Sequence, residues 1–248
     1  MDLGIAGRRA VVAASSAGLG FATAAALVEA GVRVVVCSRD RERIERAAAA
    51  LGDLAVPLVA DVSTEAGAAT FTREAIDVLG GIDILVTNGG GPPPGTFTST
   101  DPAAYRNAIE LSCLAAIAMC TEAVPVMRAQ RWGRVLAITS YGVRQPIPTL
   151  ILSNTARAGL TAFLKTLARE IAADGVTVNS LQPGLHDTDR IRSLSRGDVA
   201  ALADTVPART LGQPEDFGRI AAFLCSEHAR YVTGVGLPVD GGAIAGLF

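Results

Sequence analysis

Ala13-Ala14-Ser15-Ser16-Ala17-Gly18-Leu19-Gly20 is the stretch whose reading decides the fold. It follows a β-branched run near residues 9–14 and opens, at Phe21, into an alanine-rich helical stretch ending near Gly31. Small residues at such a strand-to-helix turn let backbone N–H groups and the positive end of a helix dipole come close to a pyrophosphate. Ala14, Ser15, Ser16, Gly18, Leu19 and Gly20 are therefore candidate phosphate contacts. Alanine at position 14 permits the close approach provided its φ is negative.

The same alternation continues outward. Apolar, β-branched runs near 9–14, 32–37, 55–60, 83–87, 133–139, 175–181 and 235–239 are separated by helical stretches near 18–30, 41–51, 64–80, 102–128, 152–173 and 214–226. Repeated βαβ units of this kind predict one doubly wound α/β domain of Rossmann type over residues 1–248, with a mainly parallel seven-stranded sheet. Ligand chemistry then belongs at the carboxyl ends of the strands. Residues 185–209 mix Asp, Arg, Ser and Gly after Pro183 and interrupt the pattern, which predicts a mobile lid or substrate loop.

Composition narrows the function. Half of the 248 residues are hydrophobic but only 4% are aromatic, so the core is aliphatic, as helices on Val, Ile and Leu strands require. The net charge of -2 and scattered basic residues argue against a nucleic-acid partner. Cys37, Cys113, Cys120 and Cys225 stand singly without metal-ligand spacing, so no metal site is expected and they read as buried small hydrophobes. The first residues lack a signal-peptide pattern and no uninterrupted apolar run approaches ~18 residues, which predicts a cytoplasmic protein without a membrane partner.

The second predicted strand ends Val36-Cys37-Ser38-Arg39, where such folds place the residue meeting an adenosine ribose. An acid there would favour NAD(H). Ser38 and Arg39 instead offer a hydroxyl and a guanidinium to a 2′-phosphate, which points to NADP(H).

Further segments resemble the short-chain dehydrogenase/reductase family, including its 3-oxoacyl-carrier-protein reductase-like members. They are Ala60-Asp61-Val62, Thr87-Asn88-Gly89-Gly90, Pro183-Gly184 with Thr188, and Val239-Asp240-Gly241-Gly242, and the likeness runs from about Leu3 to Gly242. The resemblance implies that Asp61 and Val62 meet the adenine, that Asn88 and Gly89 lie beside the ribose, and that Thr188 binds the nicotinamide carboxamide. It also implies a homotetramer, or a homodimer, paired through helices 102–128 and 152–173, with a second interface over 237–248.

The likeness fails at the catalytic positions. The family uses a tyrosine acid, a lysine four residues later, a serine on the fifth strand and an asparagine on the fourth helix. Here the serine is Ser140, the tyrosine and lysine places hold Ser153 and Arg157, and Ser112 takes the asparagine's place. An aliphatic hydroxyl is a poor general acid, and an arginine holds ribose hydroxyls but stays charged. Tyr141 and His186 are the candidate substitute proton donors, with pocket wall and ordinary surface as their alternative readings. The sequence therefore reads as an NADP(H)-dependent oxidoreductase acting on a carbonyl, alcohol or polarised double bond of a small molecule, with an atypical, degenerate tetrad. The alternatives are an isomerase, dehydratase or cyclase on the same fold, or a non-catalytic dinucleotide-binding protein.

Overall fold

The computed structural model describes residues 1–194 and 198–247. Its strands are β1 (Arg9–Val12), β2 (Arg33–Ser38), β3 (Ala55–Val59), β4 (Ile84–Thr87), β5 (Gly133–Ile138), β6 (Val176–Pro183) and β7 (Gly236–Val239), within about two residues of the expected runs. They form one sheet of order β3-β2-β1-β4-β5-β6-β7, and every pairing among them is parallel. β4 and β5 are buried throughout, as strands covered on both faces must be. β3 and β7 lie at the edges, where Pro57 and Pro238 cost no interior ladder bond.

Period-two alternation sends neighbouring side chains to opposite layers. Val11, Val35 and Leu85 pack with Phe71, Met119, Leu160 and Leu164 on one face. Ala10, Val12, Val34, Val36 and Val86 pack with Leu27, Ile44 and Phe217 on the other. The first layer belongs to α3 (Glu65–Leu79), α5 (Ala115–Ala129) and α6 (Ile151–Ile171). The second belongs to α1 (Gly18–Glu29), α2 (Arg41–Leu51) and α9 (Pro214–Leu224). Gly218 lets α9 close on α1, since a Cβ there would strike the Ala22 carbonyl. Because the helices after β1 and β4 leave on opposite faces, a crevice opens between the ends of those adjacent strands.

Two features depart from the expectations. The stretch expected as one helix over 102–128 is α4 (Ala104–Ile109), a π-helical turn Glu110–Leu114, and α5. Taken together, Ala104–Ala129 is long and apolar enough to cross a membrane by length and composition only; Arg106, Glu110, Glu122 and Arg128 interrupt it, half of its most apolar window is buried, and α5 packs on α3. The expected loop over 185–209 contains α7 (Asp189–Leu194) and α8 (Val199–Asp204), the latter capped by Asp198 through the Ala201 N–H at 3.0 Å. Residues 195–197 of that segment, and Phe248 of the expected second interface, lie outside the described residues. All four cysteines are free and buried, and burial pushes the Cys37, Cys120 and Cys225 thiols up to about 12, so they are inert hydrophobes as expected.

Candidate active site

The turn after β1 is held by its own backbone and by Ser15. The Ser15 hydroxyl donates to the Val12 carbonyl at 2.7 Å and accepts from the Cys37 N–H at 3.1 Å. That side chain is fully buried and committed to joining β1 with β2, so Ser15 can offer a ligand only its backbone. Ala14 adopts φ +47°, which corrects the expectation of a negative φ: the chain needs the left-handed conformation here, and alanine bears the strain that glycine would avoid.

α1 then begins without a side-chain cap. Ala17 precedes Gly18, no acid lies in the first turn, and the first N–H groups have no intrahelical partner. A Cβ at Gly20 would stand 2.5 Å from Asn88 Nδ2 and 2.8 Å from the Ala14 carbonyl oxygen, so only glycine lets this turn pack down. Ser16, Gly18 and Leu19 border the open helix end, all half-buried. An open helix N-terminus flanked by close backbone fits a dinucleotide's diphosphate.

The adenosine end is built by β2 and the segment after β3. Ser38 Oγ accepts from the Asp40 N–H at 3.2 Å, and Asp40 spends its carboxylate capping α2 through Arg43 N at 3.0 Å. The acid that directly follows Ser38-Arg39 is therefore turned to the helix. Arg39 is 75% exposed at its side chain and lies 4.0 Å from Asp61, a loose pair that leaves its guanidinium available. Hydrogen bonds from Ser63 and the Arg39 charge hold the Asp61 carboxyl below the usual range. Val62 is buried beside it. These residues fit a 2′-phosphorylated adenosine.

At the switch point Asn88 Nδ2 donates to the carbonyls of Ala13 and Ala14, at 3.2 and 3.1 Å. Pro183 ends β6, Gly184 packs so closely on Asp240 that a Cβ would stand 2.7 Å from its Cα, and the Thr188 methyl covers Gly18. Apart from Arg157 on α6, the sequence-predicted cofactor residues thus lie around the ends of β1, β2, β3, β4 and β6. A cavity of about 260 Å³ lies behind them, between α1, α9 and α7, with Gly18 and Thr188 at its inner edge.

Two of the catalytic-position residues, Ser112 and Arg157, line a different, smaller cavity. About 20 Å³, room for one water, is enclosed by Thr87, Asn88, Gly89, Ser112, Ile138 and Arg157 among others. Ser112 sits on the π-helical turn, a distortion that often marks functional sites. Its hydroxyl and that of Thr87 are buried without a hydrogen-bond partner among the described residues. Arg157 Nη1 donates to the Ile138 carbonyl at 3.1 Å; burial, then the charge of Arg190, pushes the guanidinium down to about 10, so it remains charged at neutral pH.

Ser153 precedes Arg157 by one turn of α6, and both are half-buried. Ser140, at the end of β5, accepts from the Gly142 N–H at 3.1 Å, which leaves its own proton free to donate. Tyr141 opens a short 3₁₀ turn, and burial together with Asp240 raises its phenol, so it holds its proton. Asn154 clamps the following loop to α6, donating to the Ile147 carbonyl at 2.9 Å.

His186 is placed otherwise. It is buried, edge-to-face with Phe217 at 5.1 Å, with Nδ1 3.3 Å from the Gly184 carbonyl. Burial lowers its pKa and keeps the ring neutral. Its surroundings are those of a packing residue. Sequence reasoning passed over Thr87, Asn154 and Arg190; only Thr87 carried a signal, being the first residue of the Thr87-Asn88-Gly89-Gly90 motif.

Residues 13–243 match a family model described as enoyl-(acyl carrier protein) reductase. The chain is 33% identical over 244 residues to the human dehydrogenase/reductase SDR family member 4, covering 96% of this chain and 88% of that protein. Its structure is similar to L-sorbose reductase from Gluconobacter frateurii, solved with NADPH and L-sorbose, with TM-score 0.94, 32% identity and full coverage of both chains. It is also similar to a short chain oxidoreductase of Pseudomonas aeruginosa described as containing an atypical catalytic center, with TM-score 0.91, 29% identity, and coverage of 98% of this chain and 99% of that one.

Proposed function

This chain belongs to the short-chain dehydrogenase/reductase family, and from that premise we propose that it is an NADP(H)-dependent oxidoreductase of small carbonyl compounds or alcohols whose proton donor is not the family's tyrosine. The likeness to an NADPH-complexed reductase and the exposed Arg39 guanidinium, only loosely paired with Asp61, support the cofactor. The diphosphate falls to the turn and first residues of α1, the 2′-phosphate to Ser38 and Arg39, and the adenine to Asp61 and Val62. The nicotinamide half falls to Asn88, Gly89, Pro183, Gly184 and Thr188. When bound, the cofactor supplies the hydride; the chain supplies the rest.

The observation that carries the reading is Ser140. Its oxygen accepts from the Gly142 N–H, and its proton is left free to donate to the substrate oxygen that becomes an alkoxide. Arg157 adds positive field beside it, and Ser153 orients the substrate without serving as acid. Tyr141, next to Ser140 in the chain and protonated at neutral pH, is the assigned donor, although burial and Asp240 make its phenol a weaker acid than a free one. His186, neutral and packed on Phe217, is left out of the mechanism.

Loss of reduced-nicotinamide absorbance with a panel of ketones tests this, with Ser140→Ala expected to lower the rate ~10²-fold. The Ser153 substitution gives a second reading, non-redox isomerisation or dehydration at the same hydroxyls, in which substrate is converted with no change in that absorbance. Ile109 and Leu114 are each 37% exposed on the α4–α5 stretch, which supports the homotetramer; light scattering checks it against one chain of 25.4 kDa.

A further inference from the structure

Among the described residues, neither the half-buried Arg157 nor the exposed Arg190 forms an ion pair with a carboxylate. Arg157 donates to a neutral carbonyl, Ile138 O, and pairs with no carboxylate among the described residues. Arg190, on α7, reaches back to the loop after β4 and lies against Gly91: a Cβ there would stand 2.5 Å from Nη2 and 2.8 Å from Nη1. Glycine at 91 is what lets the guanidinium settle on that loop. The two cations are near enough that Arg190 disfavours charge on Arg157.

The nearby acids pair with other groups or accept backbone N–H bonds, and the charge of Asp240 acts on Tyr141. Asp187 holds Arg192 through two bonds of 2.7 and 2.9 Å, and the charge of Asp189 acts on Arg192. Asp240 accepts from the N–H groups of Gly242 and Ile244, at 3.0 and 2.9 Å. Arg190 makes no side-chain hydrogen bond or ion pair among the described residues. A ligand carrying negative charge is attracted to both guanidinium groups, the half-buried Arg157 and the exposed Arg190.

We propose that the substrate is anionic: a carbonyl compound bearing a carboxylate, or the matching hydroxy acid, whose carboxylate is held by Arg190 within the positive field of Arg157 while its carbonyl oxygen meets Ser140. The proposal rests on reading this cleft as the hydride-transfer site. Arg190 is its specificity-determining residue, and the planar guanidinium suits a two-oxygen contact.

Calorimetric titration tests it without requiring turnover. The NADP⁺-loaded protein, and the cofactor-free protein beside it, are titrated with levulinate and acetoacetate and with the methyl ester of each. Each acid is expected to bind at least about tenfold more tightly than its ester, and Arg190→Gln is expected to remove most of that ratio. Equal affinities for acid and ester overturn the proposal, as does a ratio that survives in Arg190→Gln. A variant that loses NADPH affinity with the ratio unchanged assigns Arg190 to the cofactor's phosphates and overturns it too. A ratio that behaves as expected in a protein transferring no hydride to any ketone refutes the oxidoreductase reading alone.

Discussion

Asn88 and Ala14 lock the dinucleotide turn across the switch point: the Asn88 amide, at the end of β4, donates to the Ala14 carbonyl at 3.1 Å while Ala14 is held at φ +47°. The second bond, to Ala13 at 3.2 Å, makes the same amide a brace for two successive carbonyls. An alanine kept in the left-handed region costs about 1–2 kcal/mol, and surrounding bonds must outweigh it.

Ala14→Gly should therefore stabilise the fold by about 1 kcal/mol, because the native φ is one that glycine adopts freely. Urea denaturation at equilibrium measures it. Lower stability in the variant would mean that the turn is unstrained and that the lost methyl contact matters more.

Burial of His186 predicts a pH dependence with a definite sign. Its pKa lies below the ordinary 6.5 in the folded chain, so below that pH the unfolded chain takes up a proton that the folded chain resists. Stability from this source is complete above about pH 6.5 and declines as pH falls. His186→Gln should be less stable than the parent near neutrality yet lose less on going from about pH 7.5 to about pH 5.5. Identical losses in both proteins would contradict the burial argument.

The family's proton-donating pair can be restored. Ser153→Tyr with Arg157→Lys should raise reduction of simple ketones by ~10²-fold, the usual contribution of a positioned general acid. In the parent, Tyr141→Phe should lower the rate, because it removes the proton and keeps the ring. An unchanged rate in Tyr141→Phe would shift the proton source to Ser153 or water.

Most of the architecture was legible because buried parallel strands have no polar face to disguise them: Val34-Val35-Val36 and Ile84-Leu85-Val86 read directly as sheet. The strand-to-helix turn after β1 was legible by residue type and spacing. Conformation was less so, since Ala14's positive φ arises from the turn's closure and not from alanine's own preference. The π-helical turn under Ser112 was hidden, because an inserted residue leaves helical periodicity nearly intact over so short a stretch. His186 misled for a related reason: loop position suggested access, whereas contact with Phe217 of α9 decides its environment and lies 31 residues away. Arg190 gave no signal at all until the fold laid it on Gly91.

The central claim, that this cleft holds a 2′-phosphorylated dinucleotide with Arg39 at the phosphate, is tested most directly by the dissociation constants of NADPH and NADH for the parent and for Arg39→Ala. The account predicts that the parent binds NADPH about tenfold or more tightly than NADH, and that the variant loses most of the difference, a charge-assisted contact of roughly 1.5–3 kcal/mol. Equal constants for the two dinucleotides in the parent, or a preference unchanged in Arg39→Ala, would contradict it.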